Sequence, residues 1–427
     1  MIREFWVENY LSIAQRQGLN FVAKDTDSVL VTQVAEGEFL YKLGILFGPN
    51  ASGKSNMLLA LNQIFSLLVT PRVRAEEKVR RSCPFALMED LPTNMFVSFY
   101  AEGIRYDYEV SFYSAHILSE ALYYYPNRVK SLFYEREYVG DNVQAEIKFG
   151  QSLHLQAGTQ KSIKENVLNN HSVLSVCAKN TFKEDIEPFL KLYTWLMHHY
   201  HEVDGDNDKG MVEMLKSVYS DGKKHEFFRQ MLRRADLNIT DFHPAVRDRK
   251  ISSVVRDKIM KEEDLPESVK KSLLNPTEET IIFENDSENG PFEVALNLQS
   301  NGTVKFIRIL DKLYDMVTGQ HVYYLDELGE DLHYDLLFYY LNVFLYNSGQ
   351  SQLLITSQET ALLNQDLINE NRASVWFVEK NKDTASSEYS RGDSFGLHKN
   401  LSLYNSYKIG RLGAKPELGS MFLNLED

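Results

Sequence analysis

One octapeptide constrains the fold more than any other part of this 427-residue chain. An apolar run, 43–47, precedes it and an apolar-periodic stretch, 57–68, follows it, which predicts a strand, a tight loop and a helix. Glycines let such a loop wrap an anion, and the amides at the start of the helix face that anion. The octapeptide fits G-x-x-x-x-G-K-[ST] and therefore predicts a phosphate-binding loop in an α/β fold. Its residues are Gly48, Pro49, Asn50, Ala51, Ser52, Gly53, Lys54 and Ser55.

The chemistry of this phosphate-binding loop implies a nucleotide and a metal ion. Lys54 would neutralise charge on the β- and γ-phosphates, and the Ser55 hydroxyl would ligate Mg²⁺. Far downstream, the apolar run 322–325 ends in an acidic pair, Asp326 and Glu327. Asp326 would hold Mg²⁺ through its water shell, because Mg²⁺ prefers one or two carboxylates plus waters. Glu327 would accept a proton from an attacking water as a general base.

A third candidate is a signature segment that opens an apolar-periodic helix. Its hydroxyl and bare amides could bind an anion at the helix N-terminus. A plain helix cap would use the same residues and need no ligand, so both interpretations stay open. Its place between the phosphate-binding loop and the acidic pair favours binding. The signature segment consists of Ser300, Asn301, Gly302 and Thr303.

The order of these three motifs resembles that of the ABC/SMC head ATPases. The opening segment 2–12, the segment 330–333 and the apolar run 353–357 also look like parts of those heads. The resemblance implies a P-loop NTPase fold of ABC/SMC head type, with an antiparallel β subdomain and a helical insertion. It also implies that ATP, or GTP, binds with Mg²⁺. Two copies would sandwich the nucleotide, so a homodimer or a higher homo-oligomer is expected.

Further residues resemble a narrower group, the RloA-type ATP/GTP phosphatases of bacterial abortive-infection loci. They are Pro84-Phe85, the segment 376–380, and a tail pattern with Tyr407, Gly410, Arg411, Gly413, Ala414 and Pro416. This resemblance implies an ATP-hydrolysing switch in anti-phage defence. Such a switch would respond to a nucleic-acid or phage-derived trigger and control a separate effector protein, a nuclease.

Two departures from the superfamily pattern keep other functions open. Gln358 occupies the switch position, which is usually His, and an amide cannot carry an imidazolium charge. A catalytic Gln358 therefore predicts slow hydrolysis, and a nucleotide-binding scaffold with little hydrolysis is one alternative. No convincing Q-loop glutamine occurs between Ser55 and Val97. The other alternative is a RecF/SMC-like DNA-repair ATPase that binds DNA through the basic run 72–81. The net charge of −14 weighs against this alternative, because an acidic chain is repelled by the phosphates of DNA at long range.

The sequence predicts three segments: an N-terminal lobe (1–163), a mainly helical insertion (164–279) and a C-terminal lobe (280–427).

Cys83 and Cys177 are too few for a disulfide framework or a four-cysteine zinc site, and both are predicted to be core residues. The acidic stretch 204–210 resembles a calcium loop, but its twelfth position is Leu215 instead of Glu. The chain start lacks a signal-peptide apolar region and no 18-residue apolar stretch occurs, which predicts a cytoplasmic protein without membrane contact.

Overall fold

The computed structural model describes residues 1–24, 26–140, 146–179, 186–201, 209–248, 252–262, 265–274, 277–398 and 401–416. The acidic stretch 204–210 lies mostly outside these residues. The chain divides into two compact units. The first unit combines 1–204, 315–330 and 337–427, and the second combines 205–314 and 331–336. The predicted boundaries at 163 and 279 do not coincide with this division, so the three-segment organisation stays a prediction.

Both units contain helices and strands. The strands of the described residues are β1 (Ile2–Glu8), β2 (Gln17–Asn20), β3 (Val31–Ala35), β4 (Glu38–Tyr41), β5 (Leu43–Phe47), β6 (Thr93–Ala101), β7 (Ile104–Phe112), β8 (Ile117–Tyr124), β9 (Ser131–Glu137), β10 (Glu146–Phe149), β11 (Ile239–Asp248), β12 (Thr277–Asn285), β13 (Phe292–Ala295), β14 (Val322–Leu325), β15 (Gln352–Ser357), β16 (Val375–Lys380) and β17 (Ser387–Arg391). The α-helices of the described residues are α1 (Lys54–Val69), α2 (Ala157–Asn166), α3 (Glu187–His199), α4 (Lys209–Ser220), α5 (Gly222–Arg234), α6 (Ser253–Lys261), α7 (Glu267–Leu274), α8 (Asn301–Thr318), α9 (Tyr334–Asn347), α10 (Asp366–Glu370) and α11 (Leu403–Lys408).

A mostly parallel sheet of the first unit carries the phosphate-binding loop. Among the described strands its order is β14-β15-β5-β16-β17, and only β17 runs antiparallel to its neighbour. Every residue of β5 is buried, as expected for a strand covered on both faces. Because β5, β14, β15 and β16 are parallel, their carboxyl ends share one edge of the sheet. The predicted order of strand, loop and helix around residues 43–68 is confirmed by β5 and α1.

A second, antiparallel sheet of the same unit has the order β10-β9-β8-β7-β6-β1-β2 in the described residues. Strands β6 and β7 form a hairpin: they are joined by Glu102 and Gly103, both of which have positive φ (49° and 75°). Two positive φ angles are what a tight hairpin turn of right-handed twist requires. Helix α1 contacts both β6 and β15 and buries Met57, Leu61 and Ile64 in the shared core.

The second unit is less helical than the sequence predicts. Residues 239–248 form β11, which pairs antiparallel with β12, and β12 pairs with β13. The prediction of a mainly helical insertion over 164–279 is therefore wrong at β11. Only Ile239 and Phe242 of this strand are buried, so the alternation that identifies a half-buried strand is short and easily missed.

The two cysteines lie in different environments. Cys177 is buried, as predicted, and burial raises the pKa of its thiol to about 12. Cys83 is exposed, so its prediction as a core residue is wrong. It lies in the loop between α1 and β6, where its backbone carbonyl accepts a hydrogen bond from the amide of Leu11 (2.7 Å). The main chain at Cys83 therefore serves the fold, while its thiol faces solvent.

None of the helices that the structure describes has both the length and the apolar character needed to span a lipid bilayer.

Candidate active site

The phosphate-binding loop follows β5 and leads directly into α1. Its two glycines are required by close packing: a Cβ on Gly48 would lie 2.2 Å from the carbonyl oxygen of Val378, and one on Gly53 would lie 2.1 Å from Ser387 Oγ. Gly53 also has a φ of 106°, which side chains rarely adopt. Among the described residues no side chain caps the start of α1, so the helix N-terminus can face an anion. The loop therefore has the glycine-dependent shape of an anion cradle, with a helix N-terminus that no side chain of the described residues caps.

Lys54 lies inside this cradle. Its ammonium donates hydrogen bonds to the carbonyl oxygens of Gly48 and Pro49, both at 2.9 Å, and the residue is only 5% exposed. Burial lowers the pKa of Lys54, while the charges of Glu327 and Asp326 oppose that shift. The two carbonyl oxygens thus hold the lysine over the loop, and its charge interacts with both carboxylates.

The acidic pair lies beside the phosphate-binding loop, as its proposed role requires. Asp326 follows β14, and its Oδ1 accepts a hydrogen bond from Ser55 Oγ at 3.0 Å. These two residues are 271 positions apart in the chain. A hydroxyl and a carboxylate in contact at the carboxyl ends of parallel strands are the protein ligands that Mg²⁺ commonly has in nucleotide-binding sites.

Glu327 and Gln358 also lie at the carboxyl edge of the parallel sheet, after β14 and β15. Partial burial raises the pKa of Glu327, and Glu330 and Asp326 add to this shift whereas Lys54 opposes it. A raised carboxyl pKa suits a general base that works near neutral pH. The Gln358 amide donates to Asn50 Oδ1 at 2.5 Å, so the switch position touches the phosphate-binding loop.

A bound nucleotide fits these residues on one further observation. Ser52 Oγ is buried and has no hydrogen-bond partner among the described residues. Buried hydroxyls in folded proteins normally have a partner, so this group calls for a ligand or a water. Together with the uncapped amides of α1, Ser52 fits a triphosphate in the cradle, and Ser55 with Asp326 fits its Mg²⁺. The assignment of roles to these residues stays a prediction.

The signature segment belongs to the second unit and is described within it. Ser300 caps α8: its Oγ accepts from the amide of Thr303 at 3.1 Å and contacts Thr303 Oγ1 at 2.8 Å. Gly302 packs against the main chain, since a Cβ there would lie 2.6 Å from the carbonyl oxygen of Asp331. Ser300 and Asn301 are exposed. The segment is thus a real helix cap with exposed polar groups, and its role in binding stays a prediction.

Sequence reasoning missed three residues that hold the site. Ser387 Oγ donates to the carbonyl oxygen of Ser52, and the Tyr389 hydroxyl donates to that of Gly53, both at 2.6 Å. Both residues lie on β17, more than 330 positions from the loop. The third residue, Thr356, contacts the acidic pair. No local pattern distinguishes a serine, a tyrosine or a threonine with such a role from others in a strand.

We expect Tyr389→Phe to weaken ATP binding about fivefold, because one hydrogen bond of about 1 kcal/mol that steadies the loop is lost. The measurement is the Kd of ATP by calorimetry. Tyr340→Phe is a matched control, since the buried Tyr340 hydroxyl has no hydrogen-bond partner among the described residues. Equal affinities of the two variants would show that β17 does not steady the loop.

The family of the chain follows from comparison with known proteins. A family model described as "AAA domain, putative AbiEii toxin, Type IV TA system" matches residues 45–364. The matched range includes the phosphate-binding loop, the signature segment, the acidic pair and Gln358. The chain belongs to this family. The match and the sheet topology confirm the predicted fold class, a P-loop NTPase of ABC/SMC head type with an antiparallel β subdomain; the insertion predicted as helical also contains strand β11.

Two solved structures are similar to the chain at low identity. One is an SMC head domain from Thermotoga maritima, with 13% identity, a TM-score of 0.38, and 91% of this chain and 98% of that chain covered. The other is an SMC head bound to the C-winged helix domain of ScpA, with 11% identity, a TM-score of 0.42, and 95% of this chain and 99% of that chain covered. The fold assignment rests on the topology and the family match. No curated protein matches the chain.

Proposed function

We propose that the protein is an ATP-driven conformational switch that hydrolyses ATP when two copies close on each other. The observation that carries this proposal is the 3.0 Å hydrogen bond between Ser55 and Asp326. It joins the loop that would hold the phosphates to the carboxylate that would hold the metal. The membership of an AAA-domain family supports nucleotide binding as the basic activity.

The chain's own residues would divide the reaction between positioning and proton transfer. The uncapped amides of α1 and the Lys54 ammonium would bind and orient the phosphates. Ser55 and Asp326 would hold Mg²⁺, which supplies positive charge to the phosphate oxygens when bound. Glu327 would take a proton from the attacking water, and its raised pKa favours that role. Gln358, beside Asn50, would orient this water without adding charge, which favours slow turnover.

Closure of two copies would complete each site. The exposed signature segment of a second copy would face the triphosphate, with Ser300 and the amides of α8 as donors. Hydrolysis would then remove the γ-phosphate that holds the copies together, so that nucleotide state sets conformation. This arrangement makes the homodimer, or a higher homo-oligomer, part of the mechanism.

The biological setting we propose is bacterial anti-phage defence by abortive infection. The family description names an AbiEii toxin and a type IV toxin–antitoxin system, and the tail and segment 376–380 resemble RloA-type phosphatases. The protein would sense a nucleic-acid or phage-derived trigger and release a separate effector, a nuclease. Direct DNA binding by the basic run 72–81 is less favoured, because Arg72 pairs within that run with Glu77 (3.4 Å).

A pair of variants at Ser300 tests closure. Ser300→Asp keeps a good helix cap but places a negative charge where the triphosphate of the other copy would lie. Ser300→Asn keeps the cap without that charge. We expect wild type and Ser300→Asn to dimerise with ATP and Mg²⁺ in light scattering, and Ser300→Asp to stay monomeric with phosphate release at least about tenfold slower.

The outcomes separate the alternatives. Wild type that stays monomeric with ATP, or Ser300→Asp that dimerises as Ser300→Asn does, would overturn the sandwich. ATP-dependent dimers that release no phosphate would favour the nucleotide-binding scaffold. Binding of a duplex of random sequence, weakened by salt and by loss of Arg72 and Arg74, would favour the DNA-repair ATPase.

A further inference from the structure

Thr356 lies near the end of β15, in the run 353–357, and makes contacts that the sequence did not predict. The residue is fully buried. Its Oγ1 donates to Asp326 Oδ1 at 2.5 Å and accepts from the Glu327 amide at 2.7 Å. One hydroxyl thus connects to both members of the acidic pair, which lie on the neighbouring strand end.

The turn that carries the acidic pair depends on this residue for its shape. Glu327 has a φ of 47°, in the left-handed region that residues with a Cβ avoid. Such a conformation persists only where the surroundings hold it. Here Glu327 N is bound by the Thr356 hydroxyl, and Leu328 N is bound by the Thr356 carbonyl oxygen at 3.3 Å. Thr356 therefore holds two successive amides of the turn.

The same hydroxyl also orients Asp326. Asp326 Oδ1 accepts from two hydroxyls, Ser55 Oγ at 3.0 Å and Thr356 Oγ1 at 2.5 Å. Two donors on one oxygen fix the carboxylate rotamer. A buried strand threonine would ordinarily bond its hydroxyl to a nearby carbonyl, as Thr93 does with the carbonyl oxygen of Asn9 (2.7 Å). The Thr356 hydroxyl instead donates to the Asp326 carboxylate and accepts from the Glu327 amide.

We propose that Thr356 is a positioning residue that sets the Asp326 carboxylate for the metal and the Glu327 carboxylate for the water. The proposal rests on the function proposed above and adds to it a role for one residue of the run 353–357, to which the sequence analysis assigned no chemical role. Thr356 would act through the acidic pair and touch neither nucleotide nor metal. Its loss should leave the phosphate-binding loop intact, since none of its hydrogen bonds given above involves residues 48–55.

Three variants test this role. Thr356→Val keeps the shape and removes the hydroxyl, and Thr356→Ser restores the hydroxyl. Thr93→Val is the matched control, because it removes a buried threonine hydroxyl on β6 that binds the main chain. For each variant, calorimetry gives the Kd of ATP with EDTA and with Mg²⁺, and phosphate release gives kcat. Thermal unfolding reports the common cost of the missing hydroxyl.

We expect Thr356→Val to bind ATP in EDTA within about threefold of wild type and to lose about tenfold of the tightening by Mg²⁺. Its kcat should fall about ten- to hundredfold, because Glu327 is displaced as well. Thr356→Ser should recover both within about threefold, and Thr93→Val should change only the melting temperature.

Either of two results from the variants would overturn the proposal: equal Mg²⁺ dependence and kcat in Thr356→Val and Thr93→Val, or no recovery in Thr356→Ser. Wild type whose ATP affinity ignores Mg²⁺ would also overturn it, since Asp326 would then have no metal to serve. Wild type that binds Mg-ATP without hydrolysis would instead overturn the proposed ATPase. In that case the Mg²⁺ dependence of binding still decides the role of Thr356.

Discussion

Lys54→Ala is expected to lose at least about hundredfold in affinity for ATP and GTP, because a charge-assisted contact with the phosphates is removed. Lys54 is 5% exposed and is held over the loop by the carbonyl oxygens of Gly48 and Pro49. A bound triphosphate would compete with those carbonyls for the ammonium, and its negative charge would compensate for the hydration that the buried ammonium lacks. The measurement is the Kd of each nucleotide by calorimetry in the presence of Mg²⁺.

The control for this prediction is Lys161→Ala, which removes a lysine whose side chain is 77% exposed on α2. It should bind both nucleotides as wild type does. Because Lys54 also steadies the loop, melting temperatures of both variants are compared without nucleotide. A folded Lys54→Ala protein with undiminished affinity would remove the basis for nucleotide binding at this loop and for the function built on it.

Glu327→Gln is expected to reduce kcat about 10²- to 10⁴-fold while the Kd of ATP stays within about threefold, since a general base is lost and the phosphate contacts are kept. The amide has nearly the shape of the carboxylate, so the turn after β14 should persist. Phosphate release at saturating ATP measures kcat, and calorimetry measures the Kd. The variant should also stabilise the ATP-bound dimer, because the nucleotide that holds it together is not consumed.

Glu359→Gln provides the matched control for this second prediction. Glu359 lies next to Gln358, and its side chain accepts a hydrogen bond from the Ala361 amide at 3.0 Å. An amide oxygen can accept the same bond, so kcat should change by less than about threefold. If Glu327→Gln turned over ATP as fast as Glu359→Gln, another group would have to take the proton, and the acidic pair would serve only the metal.

The motifs of this site were predictable because their chemistry is local. The phosphate-binding loop needs its glycines, lysine and serine at fixed spacing around one turn of chain, and an apolar strand before it was visible in 43–47. The acidic pair likewise ends a short apolar strand. Parallel strands place their carboxyl ends on one edge, so the meeting of Ser55 and Asp326 followed once β5 and β14 were taken as members of one sheet.

Other parts of the fold were hidden because their signals are weak in the sequence. β11 buries only two side chains, and residues 249–276 separate it in the sequence from its partner strand, β12. The prediction therefore followed the helical composition of the residues around β11. Cys83 was expected in the core because small apolar residues usually lie there. Its loop is held by main-chain contacts, such as the one with Leu11, that no side-chain pattern records.

By itself, the sequence determined the class of the fold, the loop that can cradle a triphosphate, and the carboxylates that can serve it. Only the tertiary structure decided which ordinary residues hold them: Ser387 and Tyr389 on the loop carbonyls, and Thr356 on the acidic pair. The physical reason is that a hydrogen bond between distant strands depends on register and strand order. A single serine, threonine or tyrosine in the sequence indicates neither the register nor the strand order. A glycine-rich loop, in contrast, can be recognised from its own residues.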